Sequence, residues 1–167
     1  MITCYMRDPK DPGLDNLCRV LFAHGCPGAM YEIGSCAGES AEIFSRYFAI
    51  VDCVDPWARP EFPSTIEDSF DERAAAAGNI RKHKSLSLDV APTVADGSLD
   101  FVYIDGDHSY EMALADMRAW WPKVKAGAFL GGHDWILPDV KRAVLDFLGR
   151  EPDRLFDDNA TSWVARK

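Results

Sequence analysis

Three clusters in this chain have residue types and spacings that do chemistry. The first is Glu32-x-Gly34-x-x-x-Gly38, with Ser35 and Cys36 between the glycines and Asp55 closing the next apolar run. The second is Asp105-Gly106-Asp107-His108-Ser109, and the third is Gly131-Gly132-His133-Asp134-Trp135. Glycines let a backbone turn sharply and approach a ligand, and a helix that follows such a turn offers unpaired N–H groups. An acidic residue ending the next strand can take a ribose diol, so the first cluster reads as a nucleoside-cofactor site. Asp and His side chains that converge on one rim can hold a divalent cation or move a proton. Each cluster also has a plainer use: a tight strand-to-helix turn, a helix cap at Asp107 or Ser109, or a histidine satisfied within the fold.

The details of the turn discriminate among nucleosides. A dinucleotide turn carries Gly-x-Gly-x-x-Gly, because a pyrophosphate needs the backbone very close. Here Cys36 stands where a middle glycine would sit, and Glu32 precedes the first glycine by two residues. That carboxylate repels a pyrophosphate and suits a cationic amino-acid moiety such as that of S-adenosylmethionine.

The elements that must position these clusters alternate. Leu14 to Ala23 is apolar at helical spacing, with Asp11 or Asp15 as cap, and is expected as a flap over one sheet face whose start helps cover the cofactor. Met30 to Ile33 reads as a strand, Ala41 to Phe48 as a helix, and Ile50 to Val54 as a strand ending at Asp55. Prolines at 56, 60 and 63 make the next segment a loop, in which Trp57 either meets the ligand or anchors the loop on the core. Ser64 to Ala77 reads as a helix, and Ile80 to Leu86 as a short, mostly polar strand that suits a sheet edge. Ser87 to Val90 opens a brief helix. Phe101 to Ile104 is a continuous apolar run and should be a buried central strand, followed by a helix over Glu111 to Trp121 and a second buried strand at Ala128 to Leu130. Pro138 starts a helix that Gly149 stops, and Arg154 to Phe156 with Thr161 to Ala165 form a closing hairpin. The pattern predicts an α/β fold: a Rossmann-like doubly wound sheet, mostly parallel, with an antiparallel C-terminal edge hairpin. The ligand then sits at the carboxyl ends of the strands, where all three clusters fall.

Composition narrows the partners. With 167 residues and 47% hydrophobic content, the chain can bury one core, so residues 1–167 are expected as a single domain. The net charge of -9 and the absence of clustered cations disfavour nucleic acid and leave a small-molecule acceptor. No stretch approaches the roughly 20 apolar residues of a membrane span, and no signal-like segment opens the chain, so a cytoplasmic protein is expected. Five cysteines without a Cys-x-x-Cys spacing argue against a zinc ribbon or a disulfide framework.

The run Phe101 to Tyr110, together with Gly131-Gly132-His133-Asp134-Trp135 and the Glu32 to Gly38 turn, resembles the family-24 group of class I S-adenosylmethionine-dependent methyltransferases. The resemblance extends from Glu32 to about Leu148. It implies the class I methyltransferase fold, with S-adenosylmethionine held by Glu32, Gly34, Ser35, Gly38, Asp55, Asp105 and, near the adenine, Ser87 or Asp89. It is similar to metal-dependent O-methyltransferases of small molecules and sugars, which implies Mg²⁺ at Asp105, His133 and Asp134 and a base at His108. His133 departs from the oxygen donors that Mg²⁺ prefers. A metal-free methyltransferase and a non-catalytic cofactor-binding module are the competing readings. With few insertions around the rim, the acceptor site is either open or completed by a second subunit.

Overall fold

A computed structural model describes residues 12–58, 63, 65–158 and 160–167. In chain order the elements are α1 Pro12–Ala23, β1 Ala29–Ile33, α2 Glu39–Phe44, β2 Ile50–Asp55, α3 Thr65–Ala77, β3 Ile80–Lys84 and α4 Ser87–Val90. There follow β4 Leu99–Ile104, α5 Tyr110–Trp120, β5 Val124–Gly132, α6 Pro138–Leu148, β6 Arg154–Phe156 and β7 Ser162–Arg166. The strands form one sheet in the order β3-β2-β1-β4-β5-β7-β6. The first five are parallel, and β7 runs antiparallel to both β5 and β6. This is the doubly wound sheet with an antiparallel C-terminal hairpin that the sequence predicts.

Chain direction across the sheet reverses between β1 and β4. Right-handed crossovers therefore send α2 and α3 to one face and α5 to the other. The aromatic core shows both faces: Phe44 of α2 packs on Phe101 and Tyr103, with centroids 6.1 and 5.0 Å away, while Tyr31 packs on Trp120 of α5 at 4.9 Å. Covered on both faces, β4 is buried at every position, which is why Phe101 to Ile104 is a continuous apolar run rather than an alternating one, and the buried Asp100 before it is paired with Lys125. At the β3 edge, by contrast, only Ile80 is buried.

Several boundaries differ from the expected ones. Helix α2 stops at Phe44 rather than Phe48, because the Ser45 hydroxyl donates to the Glu42 carbonyl at 2.8 Å and competes with the next helical turn. Strand β5 begins earlier than its apolar segment: Leu99 pairs with Val124, and a register shift before Phe101 absorbs the extra residues. Helix α1 begins at Pro12, a residue suited to a first turn. Asp15 lies inside that turn and bonds Arg19 and the Tyr47 hydroxyl, while the other proposed cap, Asp11, falls outside the described residues, as does Ser64 before α3.

Cys18, Cys26 and Cys53 are free, buried thiols that behave as small core residues. Cys36 is disulfide-bonded, a bond that the cysteine pattern does not signal. An odd count without paired spacing speaks against several bridges and does not bear on a single one. Among the described residues no helix is long and apolar enough to cross a membrane.

Candidate active site

Backbone hydrogen bonds carry the parallel ladder one residue past the strand ends. Gly34 N–H donates to the Val54 carbonyl at 2.8 Å, Asp105 N–H to Ile33 at 2.7 Å, and His133 N–H to Ile104 at 3.0 Å. Asp55, Gly34, Asp105 and His133 therefore share one rim. All three chemical clusters of the sequence meet there, at the point where the strand order reverses.

The turn after β1 is shaped by what lies behind it. Gly34 has φ 87°, and a Cβ there would stand 2.1 Å from the Asp105 carbonyl oxygen and 2.6 Å from Gly106 Cα. The glycine is thus required by the neighbouring strand end, where the sequence reading would assign it to a close approach by the cofactor. Gly38, at φ 86°, precedes α2 in a left-handed conformation.

Glu32 is wholly buried and turned inward. Its carboxylate accepts from the Ser40 hydroxyl and from the Cys53 thiol at 3.5 Å, so it braces the turn from beneath rather than reaching the open rim. Burial pushes its carboxyl up to about 7, against the Ser40 hydrogen bond, which lowers it. Ser35 is likewise buried.

Asp55 closes the turn from the β2 side. One oxygen accepts Cys36 N–H at 3.0 Å and the other Trp57 N–H at 2.7 Å, leaving lone pairs on both oxygens for a further donor. Trp57 bonds the Cys36 carbonyl through Nε1 at 2.8 Å and packs on Phe70 at 4.7 Å, the loop-anchoring role. Ser87 donates to Asp116 at 2.6 Å and accepts from Trp120 Nε1 at 2.7 Å, so its proton is committed inside the fold. Burial raises the Asp116 carboxyl to about 6. Asp89 is exposed.

Asp105, His108, His133 and Asp134 form one charged cluster. His108 Nε2 is 2.9 Å from Asp134 Oδ2 and 3.9 Å from Asp105 Oδ1. His133 Nδ1 is 3.4 Å from the same Asp134 oxygen and 3.6 Å from the same Asp105 oxygen. Asp134, two residues after β5 ends, adopts φ 58°, a left-handed conformation that Asp tolerates better than most residues. The Asp105 and Asp134 carboxylates push the His108 imidazole up to about 10. Burial pulls His133 down, but Asp105, Asp134 and Asp158 together outweigh it and carry that imidazole up to about 11. Burial likewise raises the Asp134 carboxyl, yet the two imidazoles hold it below the usual range.

Donor atoms of Asp105, His108 and Asp134 all lie within 4.8 Å of one another, a set that could hold a divalent cation and that contains His108, expected as the base; His133 Nδ1, expected as a ligand, lies 3.6 and 3.4 Å from the same Asp105 and Asp134 oxygens. The histidines differ in access: the His108 side chain is 37% exposed and that of His133 11%. Asp107, the other acid of the second cluster, accepts Ser109 N–H at 2.8 Å and leads the chain into α5.

One participant escaped the sequence reading. Asp158, in the β6–β7 connection, has a side chain with no exposure, and its Oδ1 lies 3.6 Å from His133 Nε2. Within Asp157-Asp158-Asn159 it looks like a turn former, and no local signal marks it, because only the pairing of β7 with β5 brings it to the rim.

A family described as "Methyltransferase domain", methyltransferase family 24, matches residues 31–135, more than half of the chain. Among solved structures, a Corynebacterium glutamicum protein is 21% identical and superposes with a TM-score of 0.67 over 92% of this chain and 79% of its own. The O-methyltransferase of Bacillus cereus, in complex with S-adenosylhomocysteine, is 14% identical with a TM-score of 0.70 over 96% and 83%. TomG, an O-methyltransferase of Streptomyces achromogenes involved in tomaymycin synthesis and in complex with S-adenosylmethionine, is 15% identical with a TM-score of 0.66 over 93% and 80%. At these identities the likeness is one of fold. No curated protein matches by sequence.

Proposed function

Because this chain belongs to the methyltransferase-domain family, we propose that it transfers the methyl group of S-adenosylmethionine to a hydroxyl of a small molecule. We assign the cation site to Asp105, His133 and Asp134 and the base to His108. The observation that carries this reading is the convergence of two carboxylates and two imidazoles beside the Gly34 turn.

In this reading Asp55 takes the ribose diol with the lone pairs left after it binds Cys36 and Trp57 N–H. The Gly34-Ser35-Cys36-Ala37-Gly38 turn, braced by Glu32, carries the amino-acid end of the cofactor, and Asp105 adds negative charge beside it. S-adenosylmethionine supplies an electrophilic methyl on a sulfonium. A divalent cation, when bound, neutralises the two carboxylates and lowers the pKa of an acceptor hydroxyl.

Exposure divides the histidines. His108 is at the mouth, where an acceptor can reach it, and His133 lies deeper against Asp158. A base must be neutral to accept a proton, and with both carboxylates charged His108 stays protonated up to about 10. That opposes the metal-free reading, in which His108 acts alone. With a cation held by Asp105 and Asp134, His108 would be relieved of the field of these carboxylates and would be placed to take the acceptor proton.

The acceptor fits a neutral, hydroxylated compound with an apolar body. Acidic groups line the rim, and Met112 and Ile136, four residues after His108 and two after Asp134, are exposed large apolar side chains at 39% and 61%. The test is mass spectrometry of S-adenosylmethionine with Mn²⁺ or Mg²⁺ and a panel of phenols, catechols and sugars, beside calorimetry with S-adenosylhomocysteine and NAD. We expect a mass gain of one methylene on a hydroxylated acceptor and tighter binding of S-adenosylhomocysteine. Tighter NAD binding would overturn the reading.

A further inference from the structure

The His133 ring lies between two groups of carboxylates. Nδ1 faces Asp105 and Asp134, while Nε2 faces Asp158 at 3.6 Å. Asp158 is itself held from the middle of the sheet: its second oxygen accepts from the Ser162 hydroxyl, and Ser162 Oγ lies 2.6 Å from the Tyr103 hydroxyl. Ser162 has one proton and spends it on Asp158, so Tyr103 must be the donor to Ser162. Tyr103 and Ser162 are both fully buried, in β4 and β7. The chain of contacts thus runs from two sheet strands through a loop carboxylate to one ring nitrogen.

We propose that Asp158 is a positioning residue that fixes the His133 ring with Nδ1 turned into the cluster, and that the resulting nitrogen-and-oxygen donor set takes a d-block divalent cation, of the Mn²⁺ and Co²⁺ type, in preference to Mg²⁺. The inference rests on the proposal that the Asp105–Asp134 pair holds a cation. Its chemistry is that of donor softness and of orientation. Imidazole nitrogen suits first-row transition ions, whereas Mg²⁺ takes oxygen donors and keeps much of its water. A ligating histidine is characteristically oriented by a carboxylate on its other nitrogen, and losing that partner typically costs about 10–100-fold in metal affinity. Asp158 stands where such a partner would, anchored by the buried Ser162 hydroxyl, which the Tyr103 hydroxyl holds in turn.

The test is calorimetric titration of the full chain with CoCl₂, MnCl₂ and MgCl₂, with the visible absorption of bound Co²⁺ as a second readout and S-adenosylhomocysteine affinity measured in parallel. Co²⁺ and Mn²⁺ should each bind about 10-fold or more tightly than Mg²⁺. Asp158→Asn should lower Co²⁺ affinity about 10–100-fold and change the Co²⁺ spectrum while leaving S-adenosylhomocysteine affinity within about twofold. His133→Asp, which restores an oxygen donor, should narrow or reverse the preference over Mg²⁺. Equal affinities for Mg²⁺ and Co²⁺, an unchanged ranking in His133→Asp, or unaltered Co²⁺ binding in Asp158→Asn would each overturn the inference. So would the absence of any divalent binding in a chain that still binds S-adenosylhomocysteine, which leaves methyl transfer standing. A chain that ranks the metals as expected yet fails to bind S-adenosylhomocysteine would uphold the inference and sink the methyltransferase reading instead.

Discussion

His108 Nε2 lies 2.9 Å from Asp134 Oδ2, the same oxygen that stands 3.4 Å from His133 Nδ1. The proposed base and the proposed ligand therefore lean on one carboxylate, and whatever neutralises that carboxylate sets whether the base is available.

For this reason His108→Ala should lower the turnover number about 10²–10⁴-fold, the usual loss for a general base. Cofactor affinity should hold, and the acidic limb of the pH–rate profile should vanish. Steady-state kinetics across pH decides it; a variant with an unchanged profile removes His108 from the chemistry.

Asp134→Ala should abolish activity while leaving S-adenosylhomocysteine binding nearly intact, because Asp134 follows β5, which β4 separates from the β1 strand that carries the Gly34 turn. A chelator should inactivate the native chain, and Mn²⁺ should restore it. Turnover that survives exhaustive chelation would remove the cation from the reaction.

Asp55→Ala should weaken S-adenosylhomocysteine binding by more than one hydrogen bond. The residue holds Cys36 N–H and Trp57 N–H as well as the proposed ribose contact, and a hydrogen bond to a charged group contributes about 1.5–3 kcal/mol. Calorimetry should register a loss of at least tenfold; an unchanged dissociation constant places the ribose elsewhere.

Gly34→Ala should destabilise the fold itself. Its Cβ would meet the Asp105 carbonyl oxygen at 2.1 Å, in a backbone region that costs an L residue roughly 1–2 kcal/mol, with overpacking adding about 1–3. Chemical denaturation without cofactor should show a loss of about 2–5 kcal/mol, which separates this effect from one on ligand binding. A loss under 1 kcal/mol would mean the turn can yield.

Glu32 links stability to pH. Its carboxyl is raised in the folded state to about 7 from 4.5, so the contribution is fully present below about 4.5 and is lost as pH rises through about 7. At roughly 1.36 kcal/mol per unit, the loss is on the order of 3 kcal/mol. Glu32→Gln keeps an acceptor for Ser40 and should flatten the decline between pH 5 and pH 8. Parallel melting curves of native and variant chains across that range would show the difference, and curves that stay parallel would count against it.

Much of this protein is determined by its sequence alone. The apolar runs at β1, β2 and β4, the helical periods between them and the glycine punctuation specify alternating strands and helices, because these signals are local. They also place Asp55 at a strand end and Asp105, His133 and Asp134 just beyond strand ends, where the doubly wound arrangement gathers them. The tertiary structure alone decides which groups face one another. Gly34 is needed for the backbone of Asp105, a residue distant in sequence. Glu32 points inward because β1 alternates and α2 covers that face. Ser87 spends its proton on Asp116, in a helix not adjacent to it in sequence. Asp158 reads as a turn residue until β7 pairs antiparallel with β5 and carries the preceding loop to His133. That pairing closes a loop between distant segments, and the contacts it creates leave no local pattern in the chain.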